Sequence, residues 1–289
     1  MPELPEVETY RRYFDEVALH LPIADVYVEE GYETRLRVPA DALRAALVGR
    51  TFVGSERVGK YLFARTDAGA VFVMHFGMTG RLQYFRGEPD GEEAPRFARF
   101  QIGFENGYRL ALRDPRKFAR LDLTDDLTAY RKQRKLGPDA LTMTADDLRA
   151  TLRGKRTMIK PALLDQRVAA GVGNWIVDEV LFQAYVHPET RVYDLPNDRI
   201  VAIQAALRRV LEVAIAHEAH YATFPEGYLI KNRWVKDHAR DGGAYTCPRC
   251  ASPIVYARVG GRGTFLCEGC QGQGEAETKA VSRVGKGLH

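Results

Sequence analysis

Residues 247–270, CPRCASPIVYARVGGRGTFLCEGC, carry the most specific pattern in the chain. They contain its only four cysteines, arranged as two C-x-x-C pairs with sixteen residues between them. Each pair can direct two thiolates at one ion, so the spacing predicts a tetrahedral four-thiolate site. Apolar and polar residues alternate around a central glycine pair, which predicts a β-hairpin. We therefore expect one structural Zn²⁺ at the base of this hairpin, held by Cys247, Cys250, Cys267 and Cys270.

The predicted hairpin tip, RVGGRG, places Arg258 and Arg262 beside glycines that allow another backbone to approach closely. Arginine suits phosphate, because its planar guanidinium offers several donors at once. A solvated surface arginine is the alternative interpretation, and the tip alone does not choose between the two.

The composition is that of a globular chain. It has 289 residues, 45% of them hydrophobic, which is enough for one large domain or two ordinary ones. A net charge of +4 permits a polyanionic partner without requiring one. No apolar run is as long as a membrane span, and the N-terminus lacks the profile of a secretory signal. We expect a cytoplasmic protein without a membrane partner.

The first part of the chain is predicted to be one helix followed by a largely antiparallel β domain. An amphipathic helix is expected from Glu3 to about Leu19, because apolar residues recur at three- and four-residue steps. After it the period changes to two. The predicted strands are VGKYLFAR (58–65), VFVMHF (71–76), FARLDL (118–123) and a hairpin, FQIGFENGYRLAL (100–112), that turns at Asn106-Gly107.

The second part of the chain is predicted to be helical. Helices are expected over 144–154, where Thr144 is an N-cap, on both sides of GVGN (171–174), and over 197–221. The last residues, 272–289, are poor in apolar residues and predict a disordered tail.

The GVGN turn is a candidate anion site. Free N–H groups at a helix start bind anions, and Asn174 would add a side-chain donor. Lys155, Arg156 and Lys160 would make the surface around this turn positive. A tight turn between packed helices is the alternative interpretation.

The chain begins MPELPEVETY, with proline at positions 2 and 5. Proline is tolerated in the first turn of a helix, since its missing N–H would have no partner there. A second interpretation applies if Met1 is removed. Pro2 then carries a free secondary amine beside the Glu3 carboxyl, which is a nucleophile next to a proton donor. The decapeptide alone favours the structural interpretation.

Six motifs in this order resemble the formamidopyrimidine-DNA glycosylases, a bacterial base-excision repair family that also includes endonuclease VIII. They are MPELPEVETYRR, GKYLF, HFGMTGRL, DPRKF, LLDQRVAAGVGNWIVDEVLFQAYVHP and the four-cysteine hairpin. The resemblance spans Pro2 to Cys270 and implies an α+β multidomain fold. Its parts would be an N-terminal β-sandwich with an N-terminal helix (1–125), a helix–two-turns–helix DNA-binding domain (126–236), a C-terminal four-cysteine zinc-finger β-hairpin (237–271) and the tail (272–289).

The resemblance also implies an activity. Family members remove oxidised or ring-opened purines from DNA and then cut the strand by β,δ-elimination through a Schiff base. Carried over residue by residue, Pro2 is the nucleophile, Glu3 the proton donor, Lys60 the lysine of β-elimination and Arg262 the arginine of δ-elimination. Outside the resemblance, Lys60 is an ordinary strand-edge lysine. The implied partner is double-stranded damaged DNA, bound by a monomer.

Further residues match DNA contacts of the family. Met78, Arg116 and Phe118 match three side chains that fill the duplex where the damaged nucleotide leaves it. Lys155 and Asn174 match positions that contact phosphates. Outside the resemblance, Met78 and Phe118 would be core residues at strand ends.

Two departures from the family pattern concern the choice of base. Phe97 stands near a position where relatives often have a DNA-contacting histidine, and Arg99 is expected to compensate. The segment before the zinc hairpin, FPEGYLIKNRWVKDHARDGGAYT (224–246), is shorter than the capping loop of relatives that recognise 8-oxoguanine. The damaged base, the opposite base and the removal of Met1 stay open.

Two other functions also stay open. One is an endonuclease VIII-like glycosylase for oxidised pyrimidines, and the other is a zinc-ribbon protein that binds damaged DNA without catalysis. Binding alone requires neither an N-terminal amine nor an acid beside it, so Pro2 with Glu3 favours an enzyme. Endonuclease VIII proteins usually begin with a PEGPE-like start and lack the Met-Arg-Phe pattern, which favours the formamidopyrimidine branch.

Overall fold

The computed structural model describes residues 1–232 and 245–272. The chain divides into two compact units, residues 1–135 and residues 136–289. The finer division into four segments stays a prediction. The predicted disordered tail lies outside the described residues, apart from Gly272.

The first unit, every residue of which is described, is a β-sandwich with a helix at its start. Its elements are α1 (Leu4–Ala18), β1 (Ile23–Val28), α2 (Ala40–Leu47), β2 (Phe52–Val58), β3 (Tyr61–Thr66), β4 (Val71–His75), β5 (Arg81–Arg86), β6 (Ala98–Phe104), β7 (Tyr108–Arg113), β8 (Arg120–Thr124) and α3 (Leu127–Gln133). The strands form two four-stranded sheets, with the orders β1-β6-β7-β5 and β2-β3-β4-β8, and every pairing between them is antiparallel. The predicted N-terminal helix and antiparallel β region are therefore confirmed.

Aromatic rings join the two sheets and attach α1 to them. Phe72 of β4 stacks on Phe100 of β6, with ring centroids 5.4 Å apart. Phe14 of α1 packs edge-on against Phe52 of β2 at 5.1 Å. None of the four rings is more than 2% exposed, and burying one such side chain contributes about 1.5–3 kcal/mol. The packing holds α1, and with it the residues that precede α1, in a fixed place on the sandwich.

The second unit is helical and includes a hairpin. Its elements are α4 (Ala145–Leu152), α5 (Ile159–Leu164), α6 (Asn174–Gln183), α7 (Asn197–Ala216), β9 (Val255–Val259), β10 (Arg262–Leu266) and α8 (Glu268–Gln271). Eight consecutive residues of α6, from Trp175 to Phe182, are buried, so this helix lies at the centre of the unit. Among the described residues, none of the helices is both long enough and apolar enough to cross a membrane.

Two local predictions in the second unit are confirmed. The Thr144 hydroxyl accepts the Asp147 N–H at 3.1 Å, and the Asp147 carboxylate accepts the Thr144 N–H at 2.8 Å, which caps α4. The hairpin turns at Gly260 and Gly261, whose φ angles are +57° and +76°. Two successive positive φ angles are those of a tight hairpin turn, and glycine adopts them without strain.

Candidate functional site

Pro2 and Glu3 lie directly before the first turn of α1. Glu3 is the N-cap residue and is 3% exposed, and its backbone N–H donates to Glu6 Oε2 at 3.0 Å. Pro2 is half-buried. The residue that carries the nitrogen and the residue that carries the carboxyl are therefore adjacent at the start of a helix. That nitrogen is a non-nucleophilic amide as long as Met1 is attached, and a secondary amine once Met1 is gone.

Lys60 lies in a two-residue turn with Gly59, between β2 and β3, so the structure corrects the predicted continuous strand over 58–65. Lys60 is 7% exposed. The Arg57 guanidinium donates from Nη1 to the Gly59 carbonyl at 3.1 Å and from Nε to Glu8 Oε2 at 3.2 Å. Because Glu8 belongs to α1, this arginine links the turn that carries Lys60 to the helix that follows Pro2.

His75, the last residue of β4, is a site residue that the sequence does not single out. Its pKa is lowered to about 4, mainly by burial, with smaller contributions from the positive charges of Lys60 and of the arginines at 37, 120 and 134. Its Nδ1 accepts the Gly77 N–H at 3.2 Å. The ring is therefore neutral at physiological pH and lies near Lys60. The available sequence signal is that His75 is the first residue of HFGMTG (75–80), at a predicted strand end.

We expect His75 to make the stability of the first unit depend on pH between 7 and 5. The pKa of His75 is about 4 in the folded protein and 6.5 in the unfolded chain, so in this interval mainly the unfolded chain takes up the proton. Stability is therefore full above pH 6.5 and falls as the pH drops toward 4, by about 2 kcal/mol at pH 5. Hydrogen exchange of the β3 and β4 amides at both pH values measures this. The His75→Gln variant should lose most of the pH dependence of stability. If the pH dependence of the variant equals that of the native protein, His75 is not its cause.

Met78 and Phe118 are carried on two loops that touch each other. Each side chain is 40% exposed, so neither is the core residue that a strand end would suggest. A Cβ added to Gly77 would lie 2.3 Å from the backbone carbonyl of Phe118, which shows how closely the loops approach. The Arg116 guanidinium lies 5.0 Å from the Phe118 ring centroid. The structure thus brings Met78, Arg116 and Phe118 together on one surface.

The buried Asp114 carboxylate accepts hydrogen bonds from both of these loops. The residue is fully buried, and its carboxylate accepts the Ala119 N–H at 2.7 Å and the Tyr32 hydroxyl at 3.1 Å. The Thr79 hydroxyl donates to the same carboxylate at 3.4 Å. One buried acid therefore bonds to both loop segments, and DPRKF and HFGMTGRL are parts of a single surface.

Arg99 already has partners within the protein. Its Nη1 donates to the Glu29 carboxylate, and its Nε donates to the Asp114 carbonyl at 3.3 Å. The guanidinium also lies 5.2 Å from the ring centroid of Phe97, whose φ is +68°. A phosphate bound by Arg99 would have to share the guanidinium with Glu29.

Lys155 and Asn174 are both partly exposed. Lys155 lies between α4 and α5, and Asn174 is the first residue of α6. The Lys155 ammonium donates to Asp165 Oδ2 at 3.2 Å. The pKa of Asp165 is lowered to about 2 by its hydrogen bonds from Arg167, with Lys155 adding to the effect. Asn174 Nδ2 donates to the Gly263 carbonyl of β10 at 2.9 Å, and its Oδ1 is buried with no hydrogen-bond partner among the described residues.

Lys160 is not part of a positive surface, and this prediction is wrong. The side chain is fully buried, and its ammonium donates to Asp178 Oδ1 at 2.6 Å. A buried ammonium paired with a carboxylate adds no net charge to the protein surface. Arg156, by contrast, is exposed.

The four cysteines form one cluster with the geometry of a metal site. Their sulfurs all lie within 4.8 Å of one another, with Sγ–Sγ distances of 3.7 Å for Cys247–Cys270 and 3.4 Å for Cys250–Cys267. Those distances exclude a disulfide, whose sulfurs lie ~2.05 Å apart. Four thiolates around Zn²⁺ at ~2.3 Å lie about 3.8 Å from one another, so the cluster fits this ion. Arg262 is exposed at the first position of β10, at the opposite end of that strand from Cys267.

A buried acid anchors the segment between α7 and the hairpin. Glu179 of α6 is 1% exposed, and its carboxylate accepts the backbone N–H groups of Leu229 at 3.1 Å and Ile230 at 2.8 Å. Burial raises the pKa of Glu179 to about 7. Residues 233–244, about half of the short capping region, lie outside the described residues.

Comparison with known proteins agrees with these features. The model of the formamidopyrimidine-DNA glycosylase N-terminal domain matches residues 1–121, and that of the family's H2TH domain matches residues 136–225. A formamidopyrimidine-DNA glycosylase of Geotalea uraniireducens is 35% identical over 287 residues, covering 94% of this chain and 100% of the relative. One of Streptococcus pyogenes is 36% identical over 280 residues, covering 94% and 98%. A longer relative from Arabidopsis thaliana is 33% identical, and the match spans 63% of its length.

Solved structures give the same result. The formamidopyrimidine-DNA glycosylase of Lactococcus lactis, bound non-covalently to DNA with an abasic site, superposes with a TM-score of 0.78. It is 28% identical, and the match covers 94% of this chain and 100% of that one. The same enzyme in complex with DNA containing Fapy-dG also gives a TM-score of 0.78. Both domain models, the bacterial relatives and the fold agree, and the chain belongs to the formamidopyrimidine-DNA glycosylase family.

Proposed function

We propose that this chain, a base-excision DNA glycosylase by its family, removes oxidised or ring-opened purines from damaged DNA and then cuts the strand by β,δ-elimination. The observation that carries the proposal is the start of α1, where Pro2 directly precedes the buried Glu3. The Lactococcus lactis relative has been solved with Fapy-dG and with abasic DNA, which supports a ring-opened purine as substrate and an abasic site as intermediate.

The proposed reaction begins after Met1 is removed. The Pro2 nitrogen attacks the anomeric carbon of a nucleotide turned out of the duplex, and the bond from that carbon to the base breaks. The base leaves with the electron pair of that bond and takes up a proton, which balances the proton that the Pro2 nitrogen loses. Glu3 protonates the ring oxygen, so the sugar opens and the nitrogen lone pair forms the C=N bond of a Schiff base. An amine is needed because a hydroxyl cannot form such a bond.

The Schiff base makes the strand cleavable. It acidifies the adjacent C–H bond, so loss of that proton expels the 3′ phosphate, and a second elimination expels the 5′ phosphate. We assign Lys60 to the first elimination and to phosphate contact, and Arg262 to the second. A guanidinium suits the second role because it stays charged and donates to a phosphate leaving group through two N–H groups.

The proposed partner is double-stranded DNA, bound by a monomer in the bacterial cytoplasm. Met78 and Phe118 are exposed apolar side chains on adjoining loops, which suits insertion where a base has left the stack. Lys155 and Asn174 are assigned to phosphates. Zn²⁺ is the proposed metal of the cysteine cluster, where it would stabilise the hairpin and take no part in the chemistry.

A panel of lesion duplexes tests the function. Duplexes carrying a ring-opened purine, 8-oxoguanine or an oxidised pyrimidine are treated under single-turnover conditions with and without borohydride. We expect base release and a trapped covalent complex on the purine lesions, fastest for the ring-opened base. Preferred release of the pyrimidine would support the endonuclease VIII-like alternative, and binding without release would support the non-catalytic one.

Lys155→Ala should weaken binding to damaged and undamaged duplex alike. Loss of one phosphate contact should reduce the slope of log affinity against log salt by ~0.9. Asn174→Ala should also weaken binding to both duplexes equally. Its slope of log affinity against log salt should be unchanged, because no charge is lost. Affinity measured at several salt concentrations checks both expectations. An unchanged slope in Lys155→Ala would show that this lysine serves Asp165 rather than phosphate.

Met78→Ala should slow base release and leave the salt slope nearly unchanged. The variant removes a side chain that fills the duplex, so it should hinder extrusion of the damaged nucleotide. An abasic duplex has no base to extrude, and the defect there should be smaller. Single-turnover cleavage of a lesion duplex and an abasic duplex gives the comparison. Equal defects on the two substrates would make Met78 a packing residue.

A further inference from the structure

A buried ion pair in the second unit has no part in the proposed reaction. The fully buried Lys160 ammonium of α5 donates to Asp178 Oδ1 of α6 at 2.6 Å, to the Gly263 carbonyl at 2.9 Å and to Thr264 Oγ1 at 2.8 Å. The other oxygen of Asp178 accepts the Phe265 N–H at 3.2 Å. The ammonium thus has three acceptors for its three N–H groups, as a cation removed from water requires.

Other contacts of α5 and α6 reach the same stretch of hairpin. Asn174 Nδ2 donates to the Gly263 carbonyl at 2.9 Å, so that one carbonyl accepts hydrogen bonds from two helices. A Cβ added to Gly260 would lie 2.4 Å from Pro161 Cγ, which shows that the hairpin turn packs directly on α5. The backbone is therefore held on both sides of Arg262.

We propose that the Lys160–Asp178 ion pair positions the hairpin tip, and with it the Arg262 guanidinium, for the second elimination. This proposal rests on the role assigned to Arg262 above. Gly263 directly follows Arg262, so the hydrogen bonds to the Gly263 carbonyl limit where the arginine backbone can lie. Lys160 and Asp178 touch no reacting atom in this scheme and are positioning residues.

The metal cluster cannot replace this anchor. Cys267 lies five residues beyond Arg262 along β10, which at ~3.4 Å per residue is roughly 17 Å. The turn itself consists of Gly260 and Gly261, whose backbones are the least restricted of any residue. If the hairpin were fixed only at its cysteines, its tip could move relative to α5 and α6. The hydrogen bond from the buried ammonium to the Gly263 carbonyl restricts that movement.

The test uses the double variant Lys160→Met/Asp178→Asn, which removes the ion pair without leaving an unpaired buried charge and keeps both side-chain volumes similar. Arg262→Ala is the reference, and Arg208→Met, which removes an arginine paired with the exposed Glu212 on α7, is the matched control. Each protein is assayed for zinc content, for hydrogen exchange over residues 258–265, and for products on a preformed abasic duplex in a single turnover.

The double variant should keep its zinc, exchange the tip amides faster, and form the β-elimination product at a nearly native rate. Its second elimination should be slower by about tenfold or more, since small misplacements of a catalytic group have effects of this size. Adding Arg262→Ala should slow that step no further, because the two changes remove the same contribution. Arg208→Met should match the native protein in all three assays.

A zinc-loaded double variant with a native ratio of β- to δ-elimination products would overturn the proposal, whether or not the tip exchanges faster. If Arg262→Ala itself gives the native ratio of β- to δ-elimination products, the conclusion is different. That result would remove Arg262 from the second elimination and overturn the assignment beneath this proposal. Should the double variant lose its zinc, Thr264→Val, which keeps the ion pair and removes only one of the three acceptors of the ammonium, gives the milder form of the same test.

Discussion

A form of the protein that keeps Met1 should not be trapped on abasic DNA by borohydride. In that form the Pro2 nitrogen is a tertiary amide whose lone pair is delocalised into the carbonyl, so it cannot attack a carbon atom. We expect the rate of covalent trapping to fall on the order of 10³-fold or more, as when other nucleophiles are removed. An N-terminal extension that prevents methionine removal provides the variant, and intact mass establishes the state of the N-terminus.

Pro2→Gly provides the graded comparison. Its N-terminal amine is still a nucleophile, but the ring that fixes the nitrogen is gone, and a primary amine must also be protonated to give the charged Schiff base. We expect trapping to be slower by about 10²-fold rather than abolished. Affinity for an undamaged duplex serves as the control for folding. If the form with uncleaved Met1 is trapped at the native rate, another group is the nucleophile, and the interpretation of Pro2 as a helix-start proline is sufficient.

The elements that sequence reasoning predicts best are those whose pattern is local. The hairpin over 255–266 follows from two C-x-x-C pairs and a Gly-Gly turn, all within one short stretch. The helix α1 follows from the spacing of its apolar residues, and the structure begins it at Leu4. In both cases the residues that determine the structure are neighbours in sequence.

The elements that were missed have irregular patterns. β1 carries a register shift between Ile23 and Asp25, so two successive residues are exposed and the alternation of a strand is lost. α2 buries only Leu43 and Leu47, too few to show a helical period. The run VGKYLFAR reads as continuous because Gly59 and Lys60 make a turn that interrupts the apolar residues for only two positions.

The candidate site shows the same limit more sharply. The sequence places Lys160 among surface cations, because a lysine is rarely buried unless it is paired, and the residues near it in the chain do not show that pairing. Its partners lie 18 residues away at Asp178 and more than 100 residues away at Gly263 and Thr264. The sequence does not single out His75, because its lowered pKa depends on burial and on the charge of Lys60, which only the folded strands bring near it. The burial and pairing of Lys160 and the pKa of His75 therefore depend on contacts between residues that are distant in the sequence.

Cys267→Ser should remove the metal and unfold the hairpin. The sulfur of Cys267 is fully buried against Cys250 Sγ at 3.4 Å, and structural Zn²⁺ contributes about 10–16 kcal/mol to the folding of small four-ligand sites. A serine hydroxyl is a poor ligand for zinc at neutral pH. We expect zinc content to fall from one ion per chain to near zero and duplex affinity to fall at least about tenfold, since Arg262 loses its place.

Glu268→Gln is the matched control, because residue 268 is exposed, adjoins Cys267 and leaves all four thiolates in place. It should keep its zinc and its affinity. Hydrogen exchange over β2–β8 should be native in both variants, since those strands belong to the first unit, and exchange over 255–266 should become fast only in Cys267→Ser. Residual covalent trapping by the zinc-free protein on abasic DNA is also expected, because Pro2 and Glu3 lie in the first unit. Full duplex affinity in the zinc-free protein would instead remove the hairpin from the DNA interface, and with it the assignment of Arg262 to the second elimination.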